Sequence, residues 1–111
     1  ICKILLKCGL VVNAAFISPL QKQRDEIKNI IGKENFFEIF VSTSLNVCEK
    51  RDVKGLYKKA RNGEILNMTG LNSIYEKPED PDLIIDTEKF SIIEATEIIL
   101  KLIKPRLLDN E

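Results

Sequence analysis

The sequence predicts an α/β fold built on a parallel sheet. Helical patterns alternate with short apolar runs, the apolar runs are the kind that a sheet buries on both faces, and several helix starts carry capping signals. The element order, α-β-α-β-α-α-loop-β-α, is that of a parallel sheet joined by helical crossovers. At 111 residues, with 44% hydrophobic and 31% charged residues, the chain has the composition of one globular domain.

The N-terminal part of the chain predicts a helix, a strand and a second helix. Apolar residues recur at helical spacing over residues 1–8 and Gly9 follows, which predicts the last two turns of a helix that begins before Ile1. Residues 10–17 (LVVNAAFI) form an apolar run typical of a buried strand. In the next four residues, Ser18 is the expected N-cap, with Pro at the first helical position and Gln at the third, and this helix stops at Gly32.

The remaining elements are predicted from the same signals, apolar spacing and capping residues. Residues 36–41 (FFEIFV) and 83–86 are predicted strands, and helices are expected from a Thr43 or Ser44 cap to residues 51–52 and over residues 54–62. Residues 63–81 hold two Gly and two Pro and predict a long ordered loop, of the kind that serves as a lid or binding loop. A Ser91–Glu94 capping box opens a last helix, predicted to be mostly buried, which reaches about Lys104 before Pro105.

Composition removes several classes of function. The chain has no His, which excludes Ser-His-Asp and Cys-His nucleophile systems and His-ligated zinc. Its formal net charge of zero argues against nucleic acid as a partner. No apolar run approaches the ~18 residues of a membrane span, and no signal peptide is evident. The three Cys form no CxxC pattern and are expected to be plain buried or half-buried thiols, so we expect a reducing cytoplasm and no metal ligands in this chain.

The zero net charge conceals two opposed segments. Residues 49–64 carry six basic and three acidic residues, and residues 76–89 carry six acidic and two basic residues. One interpretation is two solvated faces of ordinary helix and loop. The other is that the basic segment meets the phosphates of a ligand, because Arg and Lys supply permanent charge and several donors, and because open α/β sheets bind ligands beyond the strand C-termini. Composition does not decide between them.

The most specific motif is residues 51–65, RDVKGLYKKARNGEI, which resembles the R-D-x-K-G-L-Y-K-x-A-R-x-G-E-I block of adenylylsulfate (APS) kinases. Four other segments resemble that family in order and spacing. They are Phe16-Ile17-Ser18-Pro19 with Arg24-Asp25, Phe40-Val41-Ser42-Thr43 with Val47-Cys48-Glu49, Thr69 to Ser73 with Tyr75-Glu76, and Pro78 to Pro81. The resemblance covers residues 8 to about 102.

The resemblance implies phosphoryl transfer from MgATP to the 3′-hydroxyl of adenosine 5′-phosphosulfate, giving 3′-phosphoadenylylsulfate and ADP. It also implies a P-loop NTPase-like fold with a three-layer parallel sheet. The P-loop motif G-x-x-x-x-G-K-S/T that cradles the ATP phosphates does not occur in residues 1–111. We therefore expect an incomplete sheet, with residues 1–111 forming the C-terminal part of the domain. We expect the Mg²⁺ ligands to lie mostly in an N-terminal part, and these 111 residues alone to lack kinase activity.

For the APS site, the resemblance implies contacts from five residues. Ile17 and Ser18 match substrate contacts at the end of the F-I-S-P segment, and Ser18 matches a position that is phosphorylated in some members; helix capping is the alternative role of Ser18. Lys54 matches a lysine near the phosphosulfate. Asn67 and Met68 match the pair that contacts the substrate adenine, where Phe is common in the second place and a thioether packs less strongly than a ring.

For the ATP site, the resemblance implies Arg51, stacked by its guanidinium on the adenine, and Thr87, at the end of the last strand. Phe90 lies beside a family nucleotide contact, and helix packing explains it equally well. For Arg51 the alternative is an ordinary surface charge. Residues 51–75, here called the lid segment, are expected to close over both nucleotides and exclude water.

Two other functions stay open at this stage. One is a non-catalytic remnant of a P-loop kinase that binds nucleotide or serves as an interaction module. The other is a kinase of nucleosides or nucleotides, against which the K-G-L-Y-K-x-A-R block argues. For the complete protein the resemblance implies a cytoplasmic homodimer, with an ATP sulfurylase domain as a possible fused or associated partner.

Overall fold

A computed structural model describes residues 1–108 of the chain. It contains five α-helices and two strands, with a short 3-10 helix at Lys33–Asn35 between the second helix and the first strand. In chain order they are α1 (Cys2–Lys7), α2 (Gln21–Ile31), β1 (Ile39–Ser42), α3 (Leu45–Arg51), α4 (Leu56–Arg61), β2 (Leu83–Asp86) and α5 (Ile92–Leu108).

The two strands form a parallel pair, as the sequence predicts. Ile39 pairs with Leu83 and Ser42 pairs with Asp86, so the carboxyl ends of both strands lie at the same edge of the sheet. The Thr87 N–H extends the ladder by donating to the Ser42 carbonyl at 3.0 Å. The connection from β1 to β2 runs through α3, α4 and an irregular segment, the helical crossover that parallel strands require. The residues that directly follow β1 and β2 therefore lie at the same edge of the sheet.

The predicted strand at residues 10–17 does not form, and this part of the prediction is wrong. The segment is irregular, with Val11 66% and Phe16 79% exposed. A strand needs a neighbour for its backbone N–H and C=O groups, and β1 and β2 pair only with each other within residues 1–108. The segment is apolar, as a buried strand would be, but an apolar pattern does not supply a hydrogen-bonding partner.

The start of α2 also differs from the prediction. Ser18 has φ +40°, whereas an N-cap residue has an extended backbone, so Ser18 does not cap the helix. Leu20 occupies the N-cap position at φ −107°, and the Gln21 N–H donates to Oε2 of Glu76 at 2.7 Å. A carboxylate 55 residues away therefore caps the first turn of α2.

Other boundaries shift by a few residues. The first strand is β1 at Ile39–Ser42 instead of residues 36–41, and α5 continues past Lys104 to Leu108 with Pro105 inside it. Pro105 removes one backbone hydrogen bond and its ring crowds the carbonyl four residues back, which is unfavourable inside a helix. Its fixed φ is nevertheless helical, and α5 continues three residues past it to Leu108. The Ser91–Glu94 capping box forms as predicted, with reciprocal hydrogen bonds of 2.8 and 3.3 Å.

The apolar core of the described residues is small. Ala60 and Ile85 are the buried apolar residues within 1–108, and α5 is not the mostly buried helix that its composition predicts, since Ile92 is 86% and Leu100 51% exposed. The chain has 8816 Å² of accessible surface, against about 6,200 Å² for a compact 12.7 kDa protein. Its radius of gyration is 16.2 Å, against about 13 Å expected for this length. Polar contacts therefore carry much of the tertiary organisation.

Candidate functional site

The clearest polar cluster lies at the carboxyl edge of the sheet. Arg51, the last residue of α3, donates from Nη1 to the Thr87 hydroxyl and from Nη2 to the Thr87 carbonyl, each at 2.8 Å. The Thr87 hydroxyl also contacts the Thr43 hydroxyl, which follows β1. Thr87 thus holds the Arg51 guanidinium directly, and Thr43 supports the Thr87 hydroxyl. Because its terminal nitrogens are directed at Thr87, the flat faces of the exposed Arg51 guanidinium are the surfaces left for stacking.

A carboxylate completes this edge. Glu88 Oε1 accepts from the Ser44 N–H, at the N-cap position of α3, at 2.7 Å. This hydrogen bond, with lesser help from Arg51, lowers the pKa of Glu88 below its ordinary value of 4.5. The pKa of Asp86 is also lowered, first by the hydrogen bond from the Glu88 N–H and then by Lys89. The edge therefore carries two carboxylates with lowered pKa values, Glu88 near the Arg51 cation and Asp86 paired with Lys89.

Phe90 belongs to the turn that follows β2. Its N–H donates to the Asp86 carbonyl at 3.0 Å, and its side chain is 39% exposed, so the ring is only partly covered by protein. The structure brings Arg51 and Thr87 into direct contact, and it places Phe90 three residues beyond Thr87 at the same edge.

Lys54 lies at the tip of a tight turn that Asp52 organises. The Asp52 carboxylate accepts from the N–H groups of Tyr57 and Lys58, each at 3.0 Å, and the Asp52 carbonyl accepts from the Gly55 N–H at 2.8 Å. Asp52 therefore caps the start of α4 and closes the loop around Lys54. The Lys54 side chain is exposed and makes no ion pair with any residue in 1–108, which leaves its ammonium available to an anion.

Asn67 and Met68 lie on a second turn. The Met68 carbonyl accepts from the N–H groups of residues 71–73 at 2.9–3.1 Å, and Thr69 bridges Ser73. Asn67 is exposed and Met68 half-buried. Within the described part of the chain, no hydrogen bond or ion pair joins Lys54, Asn67 or Met68 to residues 17–18, so these predicted APS contacts lie on separate segments.

Ile17 and Ser18 lie where the irregular N-terminal segment meets α2. Ile17 is 66% exposed, and the Ser18 carbonyl accepts from Nη1 of Arg24 at 2.6 Å. Arg24 is the buried charged residue of the described chain, only 7% exposed. The sequence patterns assign no role to Arg24, whose only signal is its place in the R-D pair of the F-I-S-P segment.

Three further findings concern the state of the cysteines, metal-binding groups and membrane-spanning helices. All three Cys are free, with Cys2 and Cys48 half-buried and Cys8 exposed, so Cys8 is less covered than predicted. Residues 1–108 contain no group of three or more Cys, Asp or Glu placed to hold a metal ion. None of the helices in this range is both long and apolar enough to cross a bilayer.

The parallel strand pair with its helical crossover belongs to the α/β class, whose members bind ligands beyond the carboxyl ends of the strands. The Arg51 cation, held by Thr87, lies at that edge. Comparison with known proteins makes the class more specific. The adenylylsulphate kinase family matches residues 1–86. An adenylyl-sulfate kinase of Bacteroides thetaiotaomicron is 50% identical over 105 residues, which are 95% of this chain and 52% of that protein. One from Oceanobacillus iheyensis is 46% identical over 104 residues, with 94% and 52% covered.

A solved structure agrees. The Mycobacterium tuberculosis APS kinase CysC, in complex with AMPPNP and APS, superposes with a TM-score of 0.83 at 39% identity, covering 91% of this chain and 59% of that one. The chain belongs to the adenylylsulfate kinase family, and it spans about half the length of the curated relatives it matches. The predicted fold class, a P-loop NTPase-like parallel sheet present in part, is confirmed.

Proposed function

We propose that residues 1–111 form the C-terminal part of an adenylylsulfate kinase domain. The domain transfers the γ-phosphoryl group of MgATP to the 3′-hydroxyl of adenosine 5′-phosphosulfate, giving 3′-phosphoadenylylsulfate and ADP for sulfate assimilation. The observation that carries the proposal is the match of residues 51–65 to the family's basic block, in a chain 50% identical to an adenylyl-sulfate kinase. The large exposed apolar surface supports a larger domain, because such surface is normally covered.

On the ATP side, we assign Arg51, Thr87 and Phe90. Thr87 fixes the plane of the Arg51 guanidinium through two hydrogen bonds, so little rotamer freedom is left to lose when an adenine ring stacks on it. Phe90 adds a partly exposed ring at the same edge. These contacts position the nucleotide, and positioning is most of what phosphoryl transfer asks of a protein.

On the APS side, we assign Ile17, Ser18, Lys54, Asn67 and Met68. Lys54, exposed at a turn braced by Asp52, offers a cation to the phosphosulfate. Met68 and Asn67 offer an apolar and an amide surface to the adenine. The Ser18 hydroxyl is not used as a helix cap, which leaves it available to substrate, and its role as a phosphoacceptor stays a minor alternative.

The lid segment, residues 51–75, carries the Arg51 and Lys54 cations together with Met68. We infer that its closure brings the two nucleotides together and excludes water. Mg²⁺ is expected to arrive with ATP and to neutralise phosphate charge. The acidic residues described do not fit a metal site of their own, so no ligand for Mg²⁺ is assigned within this chain.

The test is direct. The protein encoded by the complete reading frame that contains residues 1–111 is purified and supplied with MgATP and APS, and the formation of ADP and 3′-phosphoadenylylsulfate is followed. APS-dependent formation of both products supports the proposal. ATP consumption with adenosine or a nucleoside monophosphate, and none with APS, would replace it by a different kinase activity.

A second candidate is a non-catalytic nucleotide-binding or interaction module. The observation that favours it is the lack of a P-loop motif in residues 1–111. The coding sequence upstream of Ile1 separates the two functions: a G-x-x-x-x-G-K-S/T motif there favours the kinase, and an unrelated domain favours the module. For the kinase we further propose a cytoplasmic homodimer, and native mass measurement on the complete protein tests for dimerisation and for an attached ATP sulfurylase.

A further inference from the structure

The buried guanidinium of Arg24 contacts four residues from three separate parts of the chain. Nη1 donates to the Ser18 carbonyl at 2.6 Å, and Nη2 donates to Oε1 of Gln21 at 2.8 Å and to the Glu76 carbonyl at 2.7 Å. Nε forms an ion pair with Oε1 of Glu38 at 3.1 Å, without the alignment of a hydrogen bond. These five residues are called the Arg24 cluster. It links residues 18–21, the segment that precedes β1 and the residue that follows the lid segment.

Burying this charge is unfavourable unless it is fully compensated. An isolated buried guanidinium is strongly unfavourable, and its acceptors and one carboxylate must offset that cost. The Tyr75 ring adds a cation–π contact, with its centroid 6.0 Å from Cζ of Arg24, and Tyr75 stacks on Phe40 of β1 at 6.2 Å. The compensation is specific to Arg, since Lys has three donors on one atom and cannot reach separate acceptors in a planar arrangement.

The cluster fixes two segments to each other. The Glu76 N–H donates to the Pro19 carbonyl at 2.8 Å, and the Gln21 N–H donates to the Glu76 carboxylate at 2.7 Å. Ser18, next to these residues, has φ +40°, a conformation that a non-Gly residue keeps only where its surroundings impose it. The hydrogen bond from Arg24 to the Ser18 carbonyl is the contact that holds this peptide.

We propose that Arg24 is a positioning residue for the APS site. It anchors the C-terminal end of the lid segment through Glu76 and holds the backbone of Ser18 in its strained conformation. The inference rests on the proposed function, because Ile17 and Ser18 are assigned there to APS. Arg24 itself is buried, so we expect it to act on substrate binding through the residues that it positions and not by direct contact.

The test compares Arg24→Lys and Arg24→Gln with the wild type of the complete reading-frame protein, after circular dichroism has established folding. The expected result is a rise of about tenfold in the KM for APS in both variants. The KM for ATP is expected to change less than twofold, because no hydrogen bond or ion pair among residues 1–108 joins Arg24 to Arg51, Thr87 or Phe90. A general loss of structure would instead lower kcat and raise both KM values. Unchanged KM for APS in folded Arg24 variants overturns the inference.

A milder variant covers the case in which the Arg24 variants do not fold. Gln21→Ala removes the amide oxygen that accepts from Nη2 of Arg24 at 2.8 Å and leaves the other contacts of Arg24 in place. The matched control is Lys22→Ala, the next residue of α2, which is exposed and whose side chain makes no hydrogen bond or ion pair among residues 1–108. Gln21→Ala is expected to raise the KM for APS about threefold and Lys22→Ala to leave it unchanged; equal values for the two variants overturn the inference.

Hydrogen exchange gives a readout that does not depend on turnover. In Arg24→Lys, the amides of Gln21 and Glu76 are expected to exchange at least tenfold faster than in the wild type, with the amides of α4 unchanged. If the wild type shows no kinase activity but this acceleration is found, the proposed function fails and the anchoring role stands. If the wild type is an active kinase and the exchange rates do not change, the anchoring role fails alone.

Discussion

The Thr87 hydroxyl offers the sharpest test of the ATP side of the site. Thr87→Val keeps the shape of the side chain and removes one of the two hydrogen bonds that orient Arg51, while the Thr87 carbonyl still accepts the other. A hydrogen bond to a charged group is worth about 1.5–3 kcal/mol, and water partly replaces it at an exposed residue such as Arg51, so we expect a loss of about 1 kcal/mol in ATP binding. That corresponds to about a fivefold rise in the KM for ATP.

The assay is steady-state kinetics on the complete reading-frame protein, varying ATP and APS separately. Two variants serve as controls. Thr87→Ser keeps the hydroxyl and is expected to stay within twofold of the wild type. Thr96→Val removes a hydroxyl that bonds only within α5, to the Ile92 carbonyl at 2.7 Å, and is expected to change neither KM.

Stability needs a separate measurement, because Thr87→Val also leaves the Thr43 hydroxyl without this partner. We expect the free energy of unfolding to fall by about 1 kcal/mol, measured by urea unfolding at a temperature where both proteins are folded. A folded Thr87→Val variant with an unchanged KM for ATP, or with equal rises in both KM values, would refute the assignment of Arg51 and Thr87 to ATP.

Three further predictions concern the cap of α4, the carboxylate of Glu88 and the activity of the 111-residue chain. Asp52→Ala removes the carboxylate that caps α4, so we expect unfolding in urea to be easier by about 1 kcal/mol, with Asp52→Asn closer to the wild type; equal midpoints for all three would contradict the cap. Because the pKa of Glu88 is lowered from 4.5, its stabilisation is present above that pH and is lost as the pH falls through the folded pKa; the urea midpoint should drop on acidification, and less steeply in Glu88→Gln. The 111-residue chain alone, assayed with MgATP and APS, should give no turnover above buffer, because it has no P-loop motif; activity near that of the complete protein would disprove this.

Local signals in the sequence predict local structure well here. Strand β2 has the predicted bounds, Leu83–Asp86, and α3 ends at Arg51 as expected. The Ser91–Glu94 box forms because both partners lie within one helical turn, so no distant residue has to be known. These elements depend on spacings of three or four residues, which the sequence displays directly.

Features that depend on distant partners were not predictable in the same way. Residues 10–17 have the composition of a buried strand, but whether a strand forms depends on a neighbour that composition does not identify. Ser18 has all the signals of an N-cap, yet the cap of α2 comes from Glu76, which no pattern links to residue 21. The sequence shows that Ser18 is suited to cap a helix, but it does not show that the distant Glu76 carboxylate caps α2 instead.

The candidate site shows the same division. The structure brings Arg51 and Thr87 into direct contact, and their shared assignment to ATP stays a prediction. Arg24 was missed because burial of an arginine has no sequence signature; arginines are usually exposed, and only the fold reveals the acceptors that surround this one.

The positions of the site residues depend on polar contacts more than on apolar packing. Ala60 and Ile85 are the buried apolar residues within 1–108, whereas Arg51, Lys54 and Ser18 are each held through hydrogen bonds made by Thr87, Asp52 and Arg24. Hydrogen bonds have strict distance and angle requirements, so they fix orientation in a way that apolar burial does not. A reaction that relies on positioning is therefore expected to be more sensitive to changes at Thr87, Asp52 and Arg24 than to equal losses of apolar area elsewhere.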